Sequence, residues 1–127
     1  MKEFIRRQWT KAMRSLAAAE ATLVTDPDSA ASRAYYAAFH GVTATLAARG
    51  MDFTKHTAVR AALHRDLIQS GALSVELGRD YDFLLDLRET VDYGGVAEAS
   101  LASATKAIEK ARMILAALQP LLPDGAV

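Results

Sequence analysis

Cysteine is absent from this 127-residue chain, which excludes disulfides, Cys-ligated zinc and a thiol nucleophile. An excess of either charge is missing too. Fifteen basic residues face fifteen acidic ones, so the totals encode no general electrostatic grip on nucleic acid, and any RNA contact has to be local. Hydrophobic residues make up 51% of the chain, but alanine supplies much of that share and no uninterrupted apolar run approaches membrane-spanning length. Met1-Lys-Glu-Phe-Ile-Arg-Arg7 leads straight into an amphipathic pattern rather than a signal-peptide core, so a cytoplasmic protein without membrane attachment is expected. Period-two alternation, internal repeats and low-complexity stretches are also lacking, which leaves no candidate strand. Nor is there a Gly-rich phosphate loop, a His-Glu-x-x-His, a Gly-x-Ser-x-Gly elbow or the Glu-x-x-His of bundle di-metal sites. The three histidines, His40, His56 and His64, do not have metal-ligand spacing, and neither metal nor cofactor is expected.

What the chain does have is helical periodicity. Ile5, Trp9, Ala12, Leu16, Ala19 and Leu23 recur in steps of four and three, one face of a long helix that ends before Thr25-Asp-Pro-Asp28. Arg7, Lys11 and Arg14 share another face, the best local basic patch, which is otherwise simply a solvated surface. A second helix is expected from a cap at Asp28 or Ser29 to Gly50. It carries a line of small residues (Ala30, Ala34, Ala37, Gly41, Ala44, Ala48) beside a bulky one (Tyr35, Phe39, Val42, Leu46), with a polar edge of Ser32, Tyr36, His40 and Thr43. Small side chains permit helix axes to approach towards ~8 Å, so this helix is expected to be central. A third helix follows from a Thr54 cap to Ser70-Gly71, a fourth from a Ser74 cap to Tyr93-Gly94-Gly95, and a fifth from about Val96 to Pro120. Short connections then make consecutive helices antiparallel. One domain is expected over residues 1–122, with 123–127 as a frayed tail. A chain of this length buries roughly two thirds of its unfolded surface and needs no staple.

The stretch that breaks the local rules is Asp86-Leu-Arg-Glu-Thr-Val-Asp-Tyr93. Leu77, Tyr81, Leu84 and Val91 define an apolar line on which Arg88 also falls, where a charge is costly unless paired. Asp92 is its i,i+4 partner, yet it sits at the negative end of the helix dipole, where a carboxylate is disfavoured. Such breaches gather at functional or strained sites. The plain alternative is an Arg–Asp pair that only locks helix packing. His56 falls in the first turn of the third helix, where the dipole disfavours an imidazolium. It is either a satisfied, partly buried histidine or a neutral proton acceptor beside the site.

Ser32-Arg-Ala-Tyr-Tyr-Ala-Ala-Phe39, Lys55-His56 and Arg88-Glu-Thr-Val-Asp-Tyr93 together resemble the HEPN domain, in particular its small stand-alone bacterial and archaeal members, over nearly the whole chain. The resemblance implies an all-α, up-and-down antiparallel bundle of four long helices plus a short or fifth one, commonly a homodimer. It also implies RNA as substrate. Many members are metal-independent ribonucleases, often toxins encoded beside a minimal nucleotidyltransferase antitoxin. Their motif is an Arg followed after four to six residues by His, and two such motifs face each other across the dimer cleft to cleave at a 2′-hydroxyl. Here the positions where that His would fall hold Tyr93, Gly94 and Gly95, and no histidine follows His64. The Arg carries over to Arg88; the His carries over to nothing.

That gap bears directly on chemistry. Cleavage at a 2′-hydroxyl needs a base for its proton and an acid for the leaving oxygen, both with pKa near neutrality. Unperturbed Tyr is too weak a base at pH 7 and Asp too weak an acid. The site expected from sequence is therefore Arg88, Asp92 and Tyr93, with His56 as the substitute base, supporting at most a weak metal-independent ribonuclease. A non-catalytic dimeric scaffold, or a regulator that binds a nucleotide or partner, is the alternative. Part of the second helix or the end of the fourth is expected to line a two-fold interface.

Overall fold

Among the described residues five α-helices follow one another, α1 Lys2–Thr22, α2 Pro27–Ala48, α3 His56–Ala62, α4 Val75–Tyr93 and α5 Leu101–Leu118, closed by a 3-10 turn at Gln119–Leu121. They come from a computed structural model that describes residues 1–93 and 98–126. No strand occurs among the described residues, as the missing period-two pattern implied. Side-chain contacts fix the up-and-down order. Gln8 near the start of α1 reaches His40 late in α2, so these two helices run antiparallel. Ser32 near the start of α2 meets Asp92 at the end of α4, and Asp80 of α4 meets Lys110 at the middle of α5 while Phe83, further along α4, meets the earlier Lys106.

The two stripes on α2 make it the axis of the bundle, packed by α1, α5, α4 and α3. Ala30, Ala34, Ala37 and Ala44 are fully buried, as are Tyr35 and Val42. Gly41 shows why the small line has to be small: a Cβ there would collide with Leu115 Cδ2 and stand 3.2 Å from Leu118 Cδ1. The face of α1 read from periodicity also turns inward, with Ile5, Trp9, Ala12 and Ala19 buried and Leu16 and Leu23 partly so. The polar edge of α2 is not a free edge. Thr43 is buried and donates to the Phe39 carbonyl, while His40 is taken up by Gln8 of α1.

Several boundaries differ from those expected. The α2 cap is Asp26, whose carboxylate accepts from Ser29 N–H at 3.1 Å; Pro27 occupies the first turn, where its missing N–H costs nothing. Asp28 instead accepts from Ala99 N–H and ties the α4–α5 connection to α2. Thr54 does not cap α3, which begins at His56 after Lys55 and has no side-chain cap. The helix expected to continue to Ser70 widens into π-helical bonding over Leu63–Ile68, with Gln69 N–H on the His64 carbonyl. The wider turn lays His64 on α4, its Nε2 3.0 Å from Asp82 Oδ1. The fifth helix starts at Leu101 behind a Ser100 cap that accepts from Ser103 N–H, later than expected. Gly94, Gly95 and Val96, assigned to the intervening stop and start, lie outside the described residues. Residues 123–126, expected to fray, close a turn in which Ala126 N–H meets the Pro123 carbonyl and Ala126 is buried.

One charged pair in the core has no counterpart in the sequence reading. Asp80 is 3% exposed and accepts from Lys110 Nζ at 2.6 Å, and the Lys110 ammonium also lies 5.2 Å from the centre of the Phe83 ring.

Candidate functional site

The last two turns of α4, the first half of α2 and the first residue of α3 meet at one end of the bundle. Arg88 stands at their junction, its side chain only 12% exposed. Its Nε donates to Asp92 Oδ2 at 3.0 Å, and one terminal NH2 group donates to the hydroxyls of Tyr36 at 2.8 Å and Tyr93 at 3.1 Å. Three phenol rings surround the guanidinium carbon, those of Tyr35, Tyr36 and Tyr93, with centroids 5.1–5.5 Å away. This is how α4 tolerates a cation on its apolar line: the guanidinium finds π-faces, phenol oxygens and a carboxylate.

Asp92 is held from two sides. Besides Arg88, Ser32 Oγ donates to Asp92 Oδ2 at 3.1 Å from the start of α2. These two donors offset the unfavourable position of a carboxylate at the negative end of α4. The Arg88–Asp92 pair is half-buried, Asp92 being 31% exposed, while Tyr93 is 73% exposed and touches the site through its hydroxyl and ring face.

His56 stands on the other side of the tyrosines. Its ring stacks on Phe39 (centroids 4.3 Å apart, 10° between planes), and Nδ1 lies 2.8 Å from the Tyr35 hydroxyl. Burial first, and the Arg88 charge second, lower the pKa of the imidazole from its ordinary value and so favour its neutral form. Between α3 and α4 opens a cleft of about 370 Å³ lined by His56, Thr57, Arg60, Asp86, Arg88 and Glu89, among others. The structure thus brings Arg88 and His56 to one cleft and joins Asp92 and Tyr93 to Arg88 from the side. Among the described residues, no three His, Asp or Glu side chains converge in a manner that could hold a metal ion.

Ser32, Tyr35 and Tyr36 were not singled out as site residues. The signal for two of them was there: Ser32, Tyr36 and His40 recur every four residues along one edge of α2, which reads only as a polar stripe until α4 is packed against it. His40 itself bonds Gln8 Oε1 through Nδ1 at 2.8 Å. Burial, helped by Lys11 and His56, lowers its pKa to about 4.

The HEPN domain model matches residues 5–121. This chain belongs to the HEPN domain family. A UPF0332 protein of Thermotoga maritima is 38% identical over 96 residues, which are 76% of this chain and 73% of that protein. A Methanocaldococcus jannaschii protein named "Putative toxin MJ0142" is 30% identical over 88 residues, 69% of this chain and 60% of its own length. The crystal structure of TT1696 from Thermus thermophilus shares the fold, with a TM-score of 0.78 and 21% identity over 93% of this chain and 98% of that one. Within this HEPN fold, the Arg88 junction occupies the end of the bundle formed by the α2 start and the α4 end. No helix among the described residues is long and apolar enough to cross a membrane.

Proposed function

We propose that this HEPN protein is the RNA-directed component of a toxin-like pair, acting as a cytoplasmic homodimer beside a minimal nucleotidyltransferase. The observation that carries the reading is the Arg88 guanidinium, held by Asp92, Tyr36 and Tyr93 at the wall of a cleft that His56 also lines. A fixed, permanently charged fork of donors suits an RNA phosphate, and flanking aromatic rings offer faces on which an unpaired base can stack. The toxin name of the archaeal relative supports the biological setting. For the dimer, α2 has little surface left to give, whereas exposed Tyr93 at the end of α4 remains available.

Cleavage is weak in this reading. The cleft has a cation to hold phosphate but lacks the family's histidine after Arg88, and losing positioned acid–base help forfeits about 10²–10⁴-fold in rate. The test is a metal-free digest of mixed RNA over about pH 5.5 to 9 with wild type, Arg88→Ala and His56→Ala. Slow cleavage lost in both variants is expected. Vigorous cleavage that survives His56→Ala and is lost in Arg88→Ala would overturn the weak-catalysis reading and move the base to Asp92 or Tyr93. A folded dimer with neither RNA binding nor cleavage would favour the scaffold reading instead.

A further inference from the structure

His56 presents one ring nitrogen to the protein interior and leaves the other for the cleft. Nδ1 is 2.8 Å from the hydroxyl of Tyr35, a side chain with no exposed surface. No hydrogen bond engages Nε2 among the described residues, and His56 lines the cleft, which leaves Nε2 as the nitrogen for a ligand there. Its chemical character depends on where the single proton of the neutral imidazole sits, and buried Tyr35 decides that.

Behind Tyr35 lies Tyr81, also fully buried, its ring in T-shaped contact at 5.8 Å. Among the described residues the Tyr81 hydroxyl makes no hydrogen bond, so the Tyr35 hydroxyl has His56 Nδ1 as its partner. Burial raises the pKa of the Tyr35 phenol, so it keeps a proton that has to be placed. Two arrangements are possible. In one, Tyr35 O–H donates to His56 Nδ1 and its proton is used. In the other, His56 Nδ1–H donates to the Tyr35 oxygen, and the Tyr35 proton is stranded in the core. A stranded buried donor costs about 1–3 kcal/mol, which favours the first arrangement by a factor of roughly 5 to 150.

We infer that Tyr35 is a positioning residue that holds His56 in the Nε2–H tautomer, so that it meets a ligand in the Arg88 cleft as a hydrogen-bond donor to a phosphate oxygen. The inference rests on the reading of that cleft as an anion site, and it deepens it. Arg88 and His56 are then two donors converging on one oxyanion, and His56 has no lone pair on the cleft side with which to accept the 2′-hydroxyl proton. On this inference His56 is not the substitute base expected from sequence, and His56→Ala removes from the digest a phosphate donor rather than a base. The Nε2–H tautomer also gives a second reason for slow cleavage that leaves phosphate binding intact.

The experiment is nitrogen-15 NMR of the full chain with labelled histidine, observed at a pH where His56 is neutral and correlated through the ring carbon protons. Tyr35→Phe serves as the comparison, and inorganic phosphate is the probe. Wild type is expected to show a protonated Nε2 and a bare, hydrogen-bonded Nδ1 for His56. Tyr35→Phe loses that preference and the hydrogen-bond shift at Nδ1. Added phosphate moves the Nε2 signal in wild type. A proton on Nδ1 in wild type would overturn the inference whatever the RNA digest shows, and needs no variant to fold. A protonated Nε2 that phosphate leaves unmoved would uphold the tautomer and overturn its role towards the anion.

Discussion

Removing Asp92 tests whether the Arg88 junction is an interacting unit or a chance surface pair. Fully exposed ion pairs contribute about 0–1 kcal/mol, and breaking a buried one costs about 3–5 kcal/mol. Arg88 is 12% exposed and Asp92 31%, so the pair stands between these limits. In Asp92→Asn the guanidinium keeps the hydroxyls of Tyr36 and Tyr93 but loses its only charged acceptor among the described residues, for an expected loss of about 1–2 kcal/mol. In Arg88→Met the apolar line of α4 gains a side chain it accepts, and Asp92 keeps Ser32 and water, so the loss is similar or smaller. The double variant strands no charge. Its loss is therefore expected to fall short of the sum of the two single losses by about 1 kcal/mol. Urea unfolding of the four proteins, read for midpoint at constant slope, measures this. Additivity to within about 0.3–0.5 kcal/mol would refute the coupling and leave Arg88 as an independently packed side chain.

Gly41→Ala should destabilise the bundle by about 1 kcal/mol, because overpacking against Leu115 and Leu118 outweighs the helix-propensity gain; stabilisation in urea unfolding would contradict the close approach. The pKa of His40, lowered to about 4, gives a signed pH dependence. The unfolded chain takes a proton near pH 6.5 that the folded one refuses, so stability falls as pH drops from about 6.5 to about 4, by ~1–2 kcal/mol after allowance for partial exposure. His40→Gln should flatten that interval in unfolding measured against pH, and an unchanged profile would count against it. Light scattering is expected to give twice the monomer mass at high micromolar concentration, and Tyr93→Glu should lower it; a monomeric wild type would remove the dimer from the account.

Local patterns made the helices legible, because each apolar stripe belongs to one segment and needs no knowledge of its neighbours. The α1 face and the two lines on α2 turned inward as their spacing implied, and Arg88–Asp92 lay within reach because i,i+4 geometry is intrinsic to a helix. What escaped depends on packing between distant segments. Tyr36 comes to Arg88 from 52 residues away and Ser32 to Asp92 from 60, and no local pattern ranks those contacts above the alternatives. Asp80 looked like one more charge at the start of α4 until Lys110 was brought over it. The α2 cap lies two or three residues before the expected Asp28 or Ser29 because three neighbouring groups, Asp26, Asp28 and Ser29, can all cap, and Asp28 is engaged by Ala99 N–H instead. The widened turn at Leu63–Ile68 likewise goes with a contact between helices, His64–Asp82, that no local pattern encodes. The missing histidine was plain from sequence, while the orientation of His56 was not, since it is set by Tyr35 across 21 residues.

The central claim is that Arg88 holds an RNA phosphate. It is tested most directly by fluorescence anisotropy of a short labelled single-stranded RNA, titrated at fixed salt with wild type, Arg88→Gln and the surface control Arg79→Gln, each checked for helicity. A charge-assisted hydrogen bond is worth about 1.5–3 kcal/mol, so Arg88→Gln should weaken binding by roughly 10- to 150-fold while Arg79→Gln changes it little. Equal affinity of wild type and Arg88→Gln, with both proteins folded, would contradict the account.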